Sequence, residues 1–499
     1  SWLLAPMGAT AMSGGRALHK NESFTKYVKG VPIHNYQFAV NFKRDDVNGN
    51  CTTWVVHVRE NYTQELQDLC SSTPLGRRLC HYVAESLSFV IIKGFEDELH
   101  MLLGVCSHMI LFVEPDVEVR ATFGDVPELP GVMQTDPEWG LDRIDQRTGI
   151  SSSYSPGLDG GYGKGVHVYI LDTGILSEHS DFENRAIPTL DATQSPMEEC
   201  NSGDYDCAKD RNGHGTHCAG VVGGKKYGVA KEVTLHAVKV LNDDGTASIS
   251  YTLKALDWLA RYAQQPAVVS MSLGSKGIIS SYQQAIDAVF NTYGIVVVVA
   301  AGNDDENACY DSPAFVPNAI TVGATAMPTS SGTDLIAWYS NYGPCVDIMA
   351  PGSDITSCGI ASSWSRATMS GTSMACPAVS GAAALILAMH KDDSPSFNPR
   401  GVSDALLRHA TIASYKVQPF RGYHSKPGTT RKMLYIGPEW TRNGGTPSKR
   451  KPNPGAPQIK INRLFWIVAA LLICCGMCCC AGIRFLIRAV MAREGTPSQ

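Results

Sequence analysis

The chain reads as an α/β protein organised around a parallel sheet, and three observations carry that reading. Short runs rich in β-branched residues recur through 136–436, each closed by Gly or a turn. Segments of helical period separate them. A length of 499 residues, 44% hydrophobic and 18% charged, suits a globular chain of several domains and not a disordered one.

The strand candidates are 166–171, 233–241, 268–273 and 295–301. Helix candidates are 250–264, with Leu253, Leu256 and Ala260 on one face, and 281–293. Continuous apolar strands separated by helices are buried on both faces, and the reactive groups of such a sheet sit at the carboxyl ends of its strands. Ahead of this unit, 34–121 reads as a second, small α/β unit. In it YQFAVNF and TTWVVHV are strand-like, SFVIIKGFEDELHMLLGV turns from strand to helix at Gly94, and ILFVEPDVEVRA ends in a further strand. Residues 1–33 read as a leader, with Trp2-Leu3-Leu4-Ala5-Pro6 matching the remnant of a signal peptide.

Behind the larger unit, 437–463 is a linker rich in Pro, Gly and Lys. The next twenty residues, 464–483, are uncharged and mostly apolar. At 1.5 Å per residue they span roughly 30 Å, the thickness of a bilayer core. They read as one transmembrane helix, with a buried core helix as the alternative, and 484–499 as a short basic tail. Lys449, Arg450, Lys451, Lys460 and Arg463 precede the span, which by the positive-inside rule disfavours a lumenal position for the larger unit. Cysteines and sequons outweigh that count. Sixteen cysteines are spread along the chain, and Asn21, Asn50 and Asn61 begin glycosylation sequons, both of which belong in the secretory lumen. The expectation is a single-pass glycoprotein of the secretory pathway or cell surface with its larger unit lumenal or extracellular. Five cysteines within 474–480 are open to palmitoylation or to service as apolar filler. A net charge of −5 gives no reason to expect a nucleic acid partner.

Four segments carry chemistry. Asp172 ends the run YILDTG, His214 lies in NGHGTHCAG at a helix start, and Ser373 lies in GTSMA at another. A hydroxyl is a poor nucleophile near neutral pH; it needs a histidine as base, and the histidine needs a carboxylate to fix its tautomer. The fourth segment, AAGN, supplies Asn303, whose amide can stabilise an oxyanion together with the Ser373 backbone N–H.

These segments, with GVHVYILDTGI, NGHGTHCAGVVGG, YGVAK, VVSMSLGS, SNYG, CVDIMAPG and GTSMACP, resemble the subtilisin-like serine proteases, and the proteinase K-like branch in particular. One departure is Ala378, where the family usually has His. The resemblance implies the three-layer subtilisin fold across 133–436 and a monomeric endopeptidase acting on protein or peptide substrates. Asp172, His214 and Ser373 would be catalytic, Asn303 the oxyanion donor. KGF followed by a helix and VEPD makes 34–121 similar to the family's inhibitory prosegment, with self-cleavage expected between Arg120 and Asp136; a permanent regulatory domain is the alternative. Substrate backbone would lie along Ser272, Leu273 and Gly274, with Ala301, Gly302 and Asp311 around the first specificity pocket. An acidic Asp311 there raises a basic P1 preference against an apolar one. The resemblance further implies a structural calcium ion held by Asp347 and the carbonyls of Pro317 and Ala319. It also implies a Cys309–Cys345 disulfide. Cys200 and Cys207 are placed to close the inserted loop before the His214 motif, while His217 and Cys218 are expected to be structural.

Overall fold

The computed structural model describes residues 25–39, 52–122, 138–156, 161–390, 398–418 and 425–437. Most of the leader, Asn21, Asn50, Cys51, the chain just after Thr122, nearly all of the linker, the membrane span with its cysteines, and the tail lie outside the described residues.

In the N-terminal unit, strands β1 (Lys26–Val28), β2 (Val31–Ile33), β3 (Thr52–Val58), β4 (Cys80–Val83), β5 (Phe89–Gly94) and β6 (Ile110–Pro115) form one sheet in the order β1-β2-β6-β3-β5-β4. The unit therefore starts earlier than 34, because Val28, Val31 and Ile33 are part of its core. Helices α1 (Thr63–Ser72) and α2 (Glu96–Cys106) contribute Leu66, Leu99 and Leu103 to that core, opposite Trp54, Val56 and Ile92. A Cys70–Cys80 disulfide ties α1 to β4. The strand expected over YQFAVNF does not begin: residues 36–39 are a helical turn. The cause is Asn35, at φ +53°, whose amide donates to Glu114 at 3.2 Å and to the Ile278 carbonyl at 2.7 Å and so turns the chain out of β2.

The larger unit is a sheet between two helical layers. After β7 (Glu118–Ala121) come β8 (His167–Asp172), β9 (Ala186–Asp191), β10 (Thr234–Lys239), β11 (Thr246–Ser248), β12 (Ala267–Met271), β13 (Leu273–Lys276), β14 (Val296–Ala300), β15 (Asp311–Ser312), β16 (Ile320–Ala326) and β17 (Ile348–Pro351). Parallel pairing runs in the order β9-β10-β8-β12-β14-β16-β17. The chain leaves β8 for one side and later returns to fill the other, so a crevice opens at the carboxyl end of β8. Side chains alternate along each strand. Val168 and Ile170 face the core built with α3 (His214–Gly223) and α6 (Thr372–Met389). Tyr169 and Leu171 face the other core, built with α4 (Ile249–Tyr262) and α5 (Ser280–Asn291). Helix α6 is long and apolar enough to cross a membrane, but 94% of it is buried, and it is the central core helix of this unit.

The two units share a core and a set of helix caps. Val55, Phe89 and Ile91, on the strand face turned away from α1 and α2, pack into the layer of α4 and α5. Burying side chains of this size contributes roughly 1.5–3 kcal/mol each. Glu114 accepts from the backbone N–H groups of Ser280 and Ser281, both at 2.9 Å, at the start of α5. Asp116 accepts from Ser250 N at 3.0 Å at the start of α4. In return Asp257 of α4 accepts from Ser86 N at 2.8 Å and Leu87 N at 2.7 Å. A carboxylate at a helix N-terminus satisfies orphan N–H groups and meets the positive end of the dipole.

Candidate active site

Asp172 is the last residue of β8 and is fully buried. Its Oδ1 accepts from Thr173 N and lies 2.7 Å from His214 Nδ1. His214 opens α3 directly after Gly213, which sits at φ +107°, a conformation that costs glycine little and other residues more. Beneath the imidazole, Cys218 Sγ lies 4.0 Å from both ring nitrogens and donates to the Ser373 carbonyl at 3.4 Å. Burial pushes the Cys218 thiol far up, so it stays neutral and non-nucleophilic. His217 faces away, with Nε2 at 3.0 Å from the Ile355 carbonyl; burial holds its pKa down at about 3, the mark of a neutral structural histidine.

Ser373 lies in the first turn of α6. Its Oγ is 2.5 Å from the carbonyl oxygen of Thr122 and 2.7 Å from Thr122 Oγ1. The same carbonyl oxygen accepts from the side-chain amide of Asn303. Asn303 Oδ1 accepts from Thr372 N at 2.8 Å and Thr372 Oγ1 at 2.9 Å, which fixes which way the amide points. Gly302, at φ +101°, brings this loop close to Asn341: a Cβ there would meet Asn341 Nδ2 at 2.4 Å.

Thr122 arrives on β7, which lies antiparallel between β11 and β13. Ala121 pairs with Leu273, Arg120 with Gly274, and Thr122 N donates to the Ser272 carbonyl at 3.1 Å. The segment expected to receive substrate backbone thus holds the end of the N-terminal unit as an added strand. Beside Thr122 is a cavity of about 410 Å³ whose walls include Gly274, Lys276, Ala301, Gly302, Asp311 and Ala314. Asp311 is at the wall, but its Oδ2 accepts from Asn341 Nδ2 at 2.6 Å and lies 3.4 Å from Lys276 Nζ. Lys276 also reaches Asp304 at 2.8 Å and Glu306 at 2.9 Å. Burial pushes the Asp311 carboxyl up to about 6, with Lys276 pulling it back. For Lys276, burial works against the charge, but the Asp304, Asp311 and Glu306 carboxylates outweigh it and raise its pKa. Sequence reasoning missed Lys276, which sits at a strand end and looks like any solvated lysine.

The remaining expected residues lie off the cleft. Asp347 pairs with Thr321, through Asp347 N to the Thr321 carbonyl at 2.9 Å and Thr321 N to Asp347 Oδ2 at 3.0 Å. This sets the Asp347 carboxylate beside Thr321, one hard-oxygen donor of the kind calcium takes. Cys309–Cys345 and Cys200–Cys207 are both bridged. Cys106, Cys218, Cys358 and Cys376 are buried free thiols. Asn61 is exposed.

A parallel α/β sheet with Asp, His and Ser converging at its crevice defines a class of serine hydrolase. Residues 163–437 match the subtilase family, and the chain belongs to it, as a serine endopeptidase. It is 45% identical over 341 residues to an extracellular serine proteinase of Thermus sp. (strain Rt41A), covering 67% of this chain and 74% of that protein. It is 34% identical to the subtilisin-like serine protease Cur l 4.0101 of Cochliobolus lunatus, covering 72% and 71% respectively. Among solved structures, a cold-adapted subtilisin-like serine proteinase superposes with a TM-score of 0.51 at 36% identity, over 60% of this chain and 99% of that one.

Proposed function

We propose that the chain is a membrane-anchored zymogen that hydrolyses peptide bonds through an acyl-enzyme, with Asp172, His214 and Ser373 as its triad. One observation carries the reading: the Thr122 carbonyl oxygen is held by the Asn303 amide and Ser373 Oγ at the end of a strand lying in the cleft. That is the pose of a substrate carbonyl. Ser373 Oγ attacks the carbonyl carbon and gives its proton to His214 Nε2, while Asp172 at Nδ1 holds the tautomer and steadies the imidazolium. Asn303 receives the oxyanion. As the C–N bond breaks, His214 returns the proton to the leaving amine, and a water activated by the same histidine then hydrolyses the ester.

On this reading 34–121 is part of an inhibitory prosegment that extends from Lys26 to Thr122, and the first bond cut is Thr122–Phe123. The product stays bound as an inhibitor through its antiparallel pairing and the caps by Glu114 and Asp116. Asp347 and the carbonyls of Pro317 and Ala319 would hold a structural calcium ion outside the chemistry. The apolar span 464–483 would anchor the enzyme with its catalytic unit on the lumenal or extracellular side, where Asn61 can carry a glycan. A serine-directed phosphonate tests the nucleophile. The matured wild type should label at Ser373 and the Ser373→Ala variant should not; equal labelling of both, or of neither, would overturn the assignment.

A further inference from the structure

The charged residues that line the cavity beside Thr122 are Lys276, Asp304 and Asp311, with Glu118 and Arg120 from β7. Three carboxylates, Asp304, Glu306 and Asp311, converge on one ammonium, Lys276 Nζ, at 2.8, 2.9 and 3.4 Å. The ammonium comes from β13, the strand that pairs with the substrate, and β13 is hydrogen-bonded on its other edge to β15, with Lys276 opposite Asp311. Lys276 therefore stands at the junction of the backbone-binding strand and the pocket wall. The pocket's other lining residues include Gly274, Ala301, Gly302 and Ala314, which leave room for a long side chain. Thr122, a small neutral residue, is among the residues that line it.

Carboxylates so placed would attract the head group of a P1 lysine or arginine. Here that position is taken from within. A tethered ammonium acts at a high effective concentration, and an incoming cation would have to displace it or accept its repulsion. We propose that Lys276 is a specificity-determining residue: it occupies the cation position of the S1 pocket, so that the enzyme cleaves after neutral P1 side chains and discriminates against Lys and Arg. Asp311, which alone would suggest a basic preference, stands opposite Lys276 and is paired with it. The proposal rests on the protease reading above and deepens it.

The test is a set of peptide substrates identical except for Thr, Leu, Lys or Arg at P1, cleaved by the full chain after its own maturation. Wild type should favour Thr and Leu. Lys276→Met should raise the Lys/Thr ratio of kcat/KM by roughly ten- to a hundred-fold, the worth of one or two hydrogen bonds to a charged group, and the gain should shrink with added salt. Lys276→Arg should leave the ratio near wild type, and Asp311→Asn in the Lys276→Met background should reduce the gain. Hydrolysis with the Lys/Thr ratio unchanged by Lys276→Met, or a wild type that already prefers Lys, overturns the role of Lys276 and leaves the protease reading intact. No hydrolysis of any peptide together with no phosphonate labelling overturns the protease reading, and this proposal with it.

Discussion

Asn303 bridges two jobs through its two amide atoms: Oδ1 is anchored by Thr372, and Nδ2 is left pointing at the carbonyl oxygen over Ser373. Because Thr372 and Ser373 are neighbours on α6, one helix start positions both the proposed nucleophile and the Asn303 amide proposed as its oxyanion donor. In subtilisin itself, loss of one such donor costs about 10²–10³ in kcat, and a loss in that range is expected for Asn303→Ala, with KM little changed. Steady-state kinetics on a peptide substrate checks this; a drop confined to KM would mean the amide only binds the ground state. At this scale much was legible in sequence. Asp172, His214, Ser373 and Asn303 sit in short motifs whose neighbours, Gly213 and Gly302 among them, exist to place them. Lys276 was not legible. Its significance depends on three carboxylates from a different loop, and no spacing rule brings 276, 304, 306 and 311 together.

At the scale of elements, the joint between the N-terminal unit and α5 holds a buried histidine. His57 on β3 lies 2.8 Å from Ser281 Oγ, and that hydroxyl donates to Glu114 at 2.7 Å, so His57 Nε2 serves as donor to it. The ring stacks on Phe112 at 4.4 Å and packs near Phe89, with His34, just past β2, also stacked on Phe112. Burial, with His34 adding to it, holds the His57 pKa down to about 3 from an ordinary value of 6.5. A lowered histidine pKa in the joined state means that the neutral ring stabilises the joint. That stability is fully present above about pH 6.5 and is lost as pH falls from there towards 3. Glu114 and Asp116 in the same joint have carboxyls raised by burial, Asp116 to about 6, and they act in the opposite sense. The measurement is therefore a comparison. Inhibition by the cleaved N-terminal fragment should weaken between pH 7 and pH 5 more for wild type than for His57→Gln. Parallel pH profiles would show that His57 does not titrate the joint. These contacts were only half visible in the sequence: VEPD suggested the unit, but Asp257 as the acceptor for the 85–87 loop has no local signature.

Across the whole molecule, the apolar pattern sufficed for the layers and the strand order did not follow from it. The runs at 166–171 and 295–301 match β8 and β14 within a residue or two, since strands buried on both faces are written in continuous Val and Ile. The run at 268–273 hides a break: β12 ends at Met271 and β13 begins at Leu273, and the residue between them, Ser272, accepts the last hydrogen bond of the bound strand. Disulfides were legible where the loop was short or the resemblance supplied the pair, and Cys70–Cys80 was not, because connectivity depends on spatial approach. The Cys309–Cys345 bridge closes a 36-residue separation that includes Asp311, Ser312 and Ala314 of the cavity wall. By loop entropy alone, closure of that size contributes roughly 3–4 kcal/mol.

All three scales meet at the Thr122 carbonyl, and one measurement addresses it most directly. The full chain is expressed as wild type and as Ser373→Ala, and the N-terminus of the larger fragment is sequenced over time. The account predicts that wild type yields a new N-terminus at Phe123, with the 25–122 segment remaining associated, while Ser373→Ala stays uncut. Equal cutting of both proteins, or a wild type cut elsewhere with the Thr122–Phe123 bond intact, would contradict it.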